Sequence, residues 1–231
     1  MSDIMHKVLE YCLENKIKGI QFKSEDNLLY EIMKSNQIDI KTDMKNYDNN
    51  KVFLELLETT KNVYKNMDSI SYLWKNVKEF YIEKEFTYNE KYLFFIKPDY
   101  IYQNDKGTFL YDFKVITRNI KKYISCSNMQ TDMTFIRQHD IYKYIWEKVT
   151  GKRIDSLNYL FLYKKGENIF MPFKLKMYSN NYFDDVIKLI SLIEEKGDNK
   201  EKFEYNVQNC LFCNYVDNCD KDILNNKKER L

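Results

Sequence analysis

Residues 92–115, YLFFIKPDYIYQNDKGTFLYDFKV, give the strongest indication of how this chain folds. Aromatic and β-branched residues fill both halves of the stretch, and the turn-forming run Asn104-Asp105-Lys106-Gly107 separates them. This pattern predicts two strands, Tyr92–Tyr102 and Thr108–Val115, joined by a tight turn. A further strand is predicted at Tyr81–Tyr88, before a turn at Asn89-Glu90. Together the segments predict a three-stranded meander.

Helical patterns surround the meander. Residues 1–80 are predicted to be mostly helical, because apolar residues recur at helical spacing within 8–13 and 52–60. The mixed order of strands and helices predicts an α/β fold with a central mixed β-sheet flanked by helices. The elements predicted after the meander are a helix at Met133–Val149 that ends before Gly151, strands near Ser156–Lys164 and Ile169–Met177, and a helix near Tyr182–Glu195.

A chain of 231 residues suits a single domain. We expect an N-terminal helical region at 1–78, a core at 79–197 that contains the sheet, and a Cys-rich tail at 198–231. Hydrophobic residues make up 44% of the chain and charged residues 31%, so a packed core is expected rather than disorder.

Charge and hydropathy exclude several classes of protein. The chain has 37 basic and 35 acidic residues and a net charge of +2, so nucleic-acid binding would need a local basic patch. No apolar run approaches the length of about 20 residues that spans a bilayer, and the N-terminus lacks the apolar stretch of a secretory signal. We therefore expect an intracellular, cytoplasmic protein with no membrane partner.

Two carboxylates and a lysine stand on the predicted strands, at Asp99, Asp112 and Lys114. Side chains alternate along a strand, so Asp112 and Lys114 share one face with Leu110. The turn at 104–107 folds Asp99 back beside Asp112, and a hard divalent cation, Mg²⁺ or Mn²⁺, would relieve their repulsion. Such a cation with a lysine alongside suits phosphodiester hydrolysis. An ion pair at a sheet edge is the alternative interpretation.

A second motif follows in the predicted helix Met133–Val149. Gln138 and Tyr142 stand at positions i and i+4, so they share one helix face. The ordered set of motifs resembles the PD-(D/E)xK nuclease superfamily in its RecB-like branch, with its restriction-endonuclease-like core. The motifs that carry the resemblance are Pro98-Asp99, Asp112-Phe113-Lys114, Gln138-x-x-x-Tyr142 and, on the preceding strand, Glu83 and Glu85.

The resemblance implies a role for each of these residues. Asp99 and Asp112 would bind the metal, with the backbone carbonyl of Val115 as a further ligand. Lys114 would act in catalysis. Gln138 and Tyr142 would support the site and contact DNA.

One part of the family pattern is not found at its expected place. Nucleases of this branch usually carry a histidine, or an equivalent glutamate, on an earlier helix that completes the metal shell. Neither His6 nor His139 is expected to fill that place. Glu55 and Glu58, one turn apart on a predicted helix, are the nearest candidates, and Glu58 is the one we select. A solvated helix face is the alternative for both.

Three cysteines stand close together in the polar tail, as Cys210-x₂-Cys213-x₅-Cys219. Thiolates at this spacing indicate a zinc site or an iron–sulfur cluster, either of which needs a fourth ligand. Cys12 is the first candidate for that ligand and Cys126 the second. The layout resembles the iron–sulfur subgroup of RecB-like nucleases, which includes AddB-type exonucleases and CRISPR-adaptation nucleases. This resemblance implies a 4Fe–4S cluster, with Zn²⁺ as the alternative occupant.

Basic residues around the segment between the two motifs are the candidate DNA contacts. An aromatic residue, Tyr123, stands among them, which suits a groove that contacts the backbone and stacks the bases of a single strand. A solvated loop is the alternative. The sequence contains no P-loop, so a helicase would have to be a separate partner. The candidate contacts are Arg118, Lys121, Lys122 and Arg137.

These observations lead to one expected function and two alternatives. We expect a metal-dependent deoxyribonuclease with a C-terminal iron–sulfur cluster, acting as an exonuclease on DNA ends or single-stranded DNA, with a helicase or recombination partner. The first alternative is a CRISPR-adaptation-like nuclease that trims DNA for a partner integrase. The second is a non-cleaving DNA-binding scaffold that keeps the cluster but lacks a complete metal shell.

Overall fold

A computed structural model describes residues 2–35, 49–116, 133–163, 169–175 and 182–196. The chain divides into two compact units, Met1–Phe183 and Asp184–Leu231. The helices are α1 (Ser2–Ile17), α2 (Glu25–Lys34), α3 (Asn49–Asn66), a 3-10 helix (Met67–Leu73), α4 (Met133–Thr150) and α5 (Tyr182–Lys196). The strands are β1 (Glu79–Ile82), β2 (Phe86–Asn89), β3 (Leu93–Ile96), β4 (Tyr100–Asn104), β5 (Gly107–Ile116), β6 (Ser156–Tyr163) and β7 (Phe170–Lys174).

A five-stranded mixed sheet forms the centre of the first unit, with the strand order β1-β4-β5-β6-β7. Neighbouring strands are antiparallel except β5 and β6, which run parallel and have α4 between them in the chain. Strands β2 and β3 form a separate two-stranded antiparallel sheet. The expected fold class, α/β with a central mixed sheet flanked by helices, is confirmed.

The N-terminal helices cover one face of the central sheet. Alternation along β4 and β5 sends Tyr100, Tyr111 and Phe113 to this face, where they are buried in one core with the apolar residues of α1, α2 and α3. Ser24 caps α2, because its hydroxyl accepts a hydrogen bond from the Asn27 backbone N–H at 3.1 Å. Phe113, which stands between Asp112 and Lys114 on β5, thus points into this core.

Helix α4 packs on the opposite face. Trp146 is fully buried, and its ring centroid lies 5.2 Å from that of Tyr81 and 4.9 Å from that of Phe86. The ring of His139 lies 4.2 Å from that of Tyr159, and Tyr159 is the register partner of Asp112 in the parallel pair β5–β6. Asp112 and its neighbours on the same face of β5 therefore point toward α4.

The predicted meander is wrong in one respect, because each of its first two strands is divided. Strand β1 ends before Glu83, whose backbone adopts a positive φ of 49°, and β3 ends before Lys97-Pro98. Proline has no backbone N–H to donate to a neighbouring strand, so a continuous strand through Pro98 would lose a hydrogen bond. The piece between the breaks, β2–β3, forms its own hairpin, and β4 returns to the central sheet.

Helix α4 ends at the predicted position. Gly151 has a φ of +69° and donates its N–H to the Glu147 carbonyl at 3.0 Å, which closes the last turn. Strands β6 and β7 and helix α5 also form within the predicted segments. Within the described part of the chain, no helix has both the length and the apolar character needed to cross a membrane.

Candidate active site

Asp99 and Asp112 lie side by side where β4 and β5 pair. Tyr100 pairs with Tyr111 across the antiparallel strands, so Asp99, one residue before β4, stands opposite Asp112. The Oδ2 atom of Asp99 accepts a hydrogen bond from the backbone N–H of Phe113 at 2.5 Å. Asp112 is only 2% exposed. The structure therefore brings the two predicted carboxylates together, with Asp112 buried and Asp99 half-buried.

Burial makes the charged forms of both carboxylates costly. It raises the pKa of Asp99 to about 8, with a further contribution from the charge of Asp112, while the N–H of Phe113 opposes the shift. Burial also raises the pKa of Asp112, and the ammonium of Lys114 opposes that shift. A proton or a cation beside the pair lowers the repulsion, which is the electrostatic condition for binding a divalent cation.

Lys114 shares the face of β5 that carries Asp112. Its Nζ lies 2.6 Å from Oδ2 of Asp112 and 5.9 Å from the ring centroid of Tyr159. The side chain is half-buried, so the ammonium is held beside the carboxylate and still reaches the surface. An ammonium in this position can offset negative charge on a group that approaches the pair.

Gln138 and Tyr142 reach the same carboxylate from α4. The side-chain amide of Gln138 donates to Oδ1 of Asp112 at 3.1 Å and to the hydroxyl of Tyr142 at 3.1 Å. Burial raises the pKa of Tyr142, so its hydroxyl stays protonated at neutral pH. The predicted i, i+4 pair therefore forms one hydrogen-bonded unit with Asp112, and its amide fixes the orientation of that carboxylate.

Two glutamates extend the acidic group beyond the aspartates. The backbone N–H of Glu83 donates to the Asp99 carbonyl at 3.1 Å, and the Glu83 carboxylate forms an ion pair with Lys97. Burial raises the pKa of Glu10 to about 7, with a contribution from Glu83, and Lys97 and Lys7 oppose the shift. These residues line a cavity of about 400 Å³, whose walls are Lys7, Glu10, Tyr11, Glu14, Phe80, Ile82, Glu83 and Lys97.

The ring of His6 on α1 meets that of Phe113 on β5 edge to face, with centroids 6.1 Å apart. The interpretation that neither histidine fills the place in the family pattern stays a prediction. After burial and Lys114, the charge of His6 is a further influence on the pKa of Asp112, which it lowers. Helix α1 packs against β5 across about a hundred residues of sequence, and no local pattern predicts that contact. His6 and Glu10 stand at i and i+4 on one face of α1, but the helix also carries Asp3, Lys7 and Glu14, so the pair gives no distinct signal.

The glutamate selected from the sequence does not join the pair. Glu58 is exposed on α3, and α3 packs mainly against α1, α2 and the 3-10 helix rather than against the strands that carry the aspartates. Glu55 on the same helix is partly buried, and Glu85 is exposed. Among the residues that the structure describes, no group of three His, Cys, Asp or Glu side chains forms a ready-made metal shell.

The remaining predicted site residues are mostly outside the described ranges. Cys12 is described: it is fully buried in α1 among the core residues, and burial raises the pKa of its thiol. Arg137 is exposed on α4 next to Gln138, and Val115 is half-buried on β5, opposite Leu162. The predicted residues outside the described ranges are Arg118, Lys121, Lys122, Cys126, Cys210, Cys213 and Cys219.

Comparisons with known proteins find distant structural neighbours, among them the following two. No family model and no curated protein matches the chain. The crystal structure of SSO0001 is 12% identical with a TM-score of 0.38, over 67% of this chain and 66% of that one. A proposed exonuclease from Eubacterium rectale is 16% identical with a TM-score of 0.38, over 60% of this chain and 52% of that one. The chain thus spans 66% and 52% of the lengths of these proteins.

Proposed function

We propose that the chain is a metal-dependent deoxyribonuclease of the PD-(D/E)xK type, in its RecB-like branch. The observation that carries the proposal is the surroundings of Asp112, which is buried beside Asp99 and contacted by both Lys114 and Gln138. A buried carboxylate pair is costly unless it is used, and its surroundings supply the lysine and the glutamine–tyrosine unit that the family pattern requires.

The oxygen donors of the pair fit Mg²⁺ or Mn²⁺. Asp99 and Asp112 would hold the cation, with the backbone carbonyl of Val115 as a further ligand. A divalent cation bound there supplies polarisation of the phosphate and a lowered pKa of coordinated water. Glu10, whose charge raises the pKa of Asp99, and His6, whose charge lowers the pKa of Asp112, would be candidates to complete its shell in place of the exposed Glu58.

The side chains around the pair have separate tasks in phosphodiester hydrolysis. The ammonium of Lys114 offsets the negative charge that develops on the phosphate and orients the attacking water. Gln138 holds Asp112 in one orientation through its amide, and Tyr142 holds Gln138 in turn. A preorganised carboxylate needs no rearrangement when the substrate binds, which lowers the activation free energy.

The substrate that we propose is DNA, as ends or single strands, with exonucleolytic cleavage. The sequence contains no base-reading motif, so the chain is expected to bind the phosphate backbone rather than a particular sequence. A helicase, recombination or integrase partner is compatible with this chemistry. The non-cleaving scaffold, which was based on a missing histidine in the metal shell, stays the alternative, and a cleavage assay separates it from the nuclease.

The test of the proposal is cleavage of labelled single- and double-stranded DNA with Mn²⁺ or Mg²⁺. We expect Asp112→Asn and Lys114→Ala to lower the rate by roughly 10²–10³-fold, because each removes charge from the reacting centre. We expect His6→Ala to lower it by about 10–100-fold through the metal environment. Circular dichroism of each variant verifies that the fold is retained.

Glu58→Ala is the matched control, because it removes an exposed carboxylate from α3 and leaves the pair intact. We expect this variant to keep the wild-type rate. Wild-type rates in Asp112→Asn or Lys114→Ala, or cleavage that persists in EDTA, would overturn the proposed function. An inactive Glu58→Ala together with an active His6→Ala would return the role of the third ligand to α3.

A further inference from the structure

The β2–β3 hairpin has one buried face and one exposed face. Across its two strands Phe86 pairs with Ile96 and Tyr88 with Phe94, and these four side chains turn inward. Phe86 contacts Trp146 with ring centroids 4.9 Å apart, and Phe94 contacts Phe183 at the same distance. The inward face therefore anchors the hairpin on α4 and on the first residues of α5.

The opposite side, which we call the hairpin face, consists of Thr87, Asn89, Leu93 and Phe95. Phe95 is 64% exposed and Leu93 is 57% exposed, although a strand facing solvent normally carries polar residues. Leu93 and Phe95 stand two residues apart on one face of an anchored hairpin, so together they form a continuous apolar surface that is open to solvent.

We propose that the hairpin face is a stacking platform for the bases of single-stranded DNA that enters the active site. This inference rests on the proposed nuclease function and adds the surface that holds the substrate. Aromatic side chains stack on any base, and such stacking contributes about 1–3 kcal/mol per base without sequence preference. Phe95 would stack a base, and Leu93 would extend the apolar surface beneath the next one.

The position of the hairpin supports this substrate. The chain runs from Phe95 to Asp99 over four residues, which span at most about 13 Å. That length corresponds to about four stacked nucleotides at roughly 3.4 Å each. The base of the hairpin is fixed to the site, because the Glu83 N–H donates to the Asp99 carbonyl and Glu83 pairs with Lys97.

Charge on this surface is balanced and does not oppose a nucleic acid. Lys97 continues the outward alternation of Leu93 and Phe95, its side chain is 55% exposed, and it forms an ion pair with Glu83. Residues 83–97 carry three lysines, at 84, 91 and 97, and three glutamates, at 83, 85 and 90. A second copy of the chain is a poorer occupant, because two apolar side chains fall far short of the roughly 800 Å² that each partner buries in a standard interface.

The test is the affinity of the full-length chain for a fluorescein-labelled oligo(dT), measured by fluorescence anisotropy in EDTA so that no cleavage occurs. We expect Phe95→Ala to weaken binding about ten-fold or more, and Phe95→Trp to keep wild-type affinity, because stacking needs an aromatic ring. Tyr30→Ala is the matched control, since Tyr30 is 62% exposed on α2, and it should bind as the wild type does.

A second measurement separates this inference from the proposed function. Hydrolysis of bis(p-nitrophenyl) phosphate with Mn²⁺ needs only the reacting centre, so Phe95→Ala should match the wild type in that assay. A wild-type chain that does not hydrolyse the small diester would overturn the nuclease function. Unchanged oligo(dT) affinity in Phe95→Ala would overturn the stacking platform alone, and so would a change in oligomeric state without a change in affinity.

Discussion

At the scale of single residues, the site holds two carboxylates close together, and their repulsion costs free energy in the folded protein. Asp99 and Asp112 repel each other, and each is held by a hydrogen bond, from the Phe113 N–H and from the Gln138 amide respectively. Lys114 neutralises part of the charge, but the pKa of Asp99 is still raised to about 8, by burial first and by Asp112 second. The pair is therefore more stable in the fold when Asp99 is protonated or when a cation is bound.

This cost predicts how stability depends on pH in metal-free protein. The folded-state pKa of Asp99, about 8, exceeds its ordinary value of 3.8, so the stabilisation is complete below that ordinary value and is lost as the pH rises through about 8. We expect the melting temperature in EDTA to fall by several degrees between about pH 6 and pH 9, and Mn²⁺ to reduce that fall. Differential scanning fluorimetry measures both effects.

Asp99→Asn is the control for the assignment, because asparagine keeps the shape and removes the titration. We expect this variant to melt higher than the wild type at about pH 9 in EDTA and to show a flatter pH profile. Burial also raises the pKa of Glu10, to about 7, which acts in the same direction and remains in the variant. Identical profiles for the wild type and Asp99→Asn would contradict the role of Asp99.

At the scale of elements, the β4–β5 turn sets the register that places Asp99 opposite Asp112. Asp155 braces this turn: its Oδ2 accepts from the Thr108 N–H and its own N–H donates to the Thr108 carbonyl, both at 2.9 Å. Gly107 has a φ of +134° in the turn, and a Cβ added there would lie 2.5 Å from Oδ2 of Asp155. Glycine is therefore required both by the backbone conformation and by the close approach of Asp155.

We predict that Gly107→Ala destabilises the fold by about 2–3 kcal/mol, because it combines backbone strain with a clash. Gly19→Ala is the matched control, since Gly19 also has a positive φ, of 78°, but has no atom within 4 Å of an added Cβ. Its loss should be about 1 kcal/mol, from the backbone term alone. Urea unfolding of the two variants measures the difference, and equal losses would show that Asp155 does not restrict this position.

Local patterns predicted the elements well wherever one signal dominated. The Asn104–Gly107 turn and the end of α4 at Gly151 form as expected, because glycine accepts conformations that other residues avoid. The divided strands around Glu83 and Pro98 were not predicted, because aromatic and β-branched residues continue on both sides of each break. A run of aromatic and β-branched residues indicates strand propensity, but it does not show where the strand leaves its sheet.

At the scale of the whole molecule, the five cysteines are the candidate ligands of a metal or cluster, and Cys12 is the one that lies within the described residues. Cys12 is fully buried in α1, where burial raises the pKa of its thiol and favours the protonated form unless a metal binds. The triplet Cys210-x₂-Cys213-x₅-Cys219 still indicates a metal or cluster by its spacing. The 4Fe–4S cluster, with Zn²⁺ as the alternative, therefore stays a prediction.

We predict that protein purified without air is brown, with broad absorbance near about 400 nm and stoichiometric iron and sulfide. Cys213→Ser should lose the colour and the iron, because the triplet supplies most of the ligands. Cys126→Ser should keep both if Cys12 is the fourth ligand, and loss of colour in that variant would favour Cys126. Colourless protein with one zinc per chain would contradict the cluster and support the alternative occupant.

Local sequence patterns were enough to predict the α/β class, the apposition of Asp99 and Asp112, and the shared face of Gln138 and Tyr142. These features depend on a short turn or on one helix, so the covalent chain sets their geometry. The long-range contacts come from tertiary packing: α4 brings Gln138 onto Asp112, α1 places the ring of His6 against Phe113, and Glu58 is exposed on α3. Such contacts join segments far apart in the chain, and they follow from how helices and sheet bury their apolar faces together, which no local pattern records.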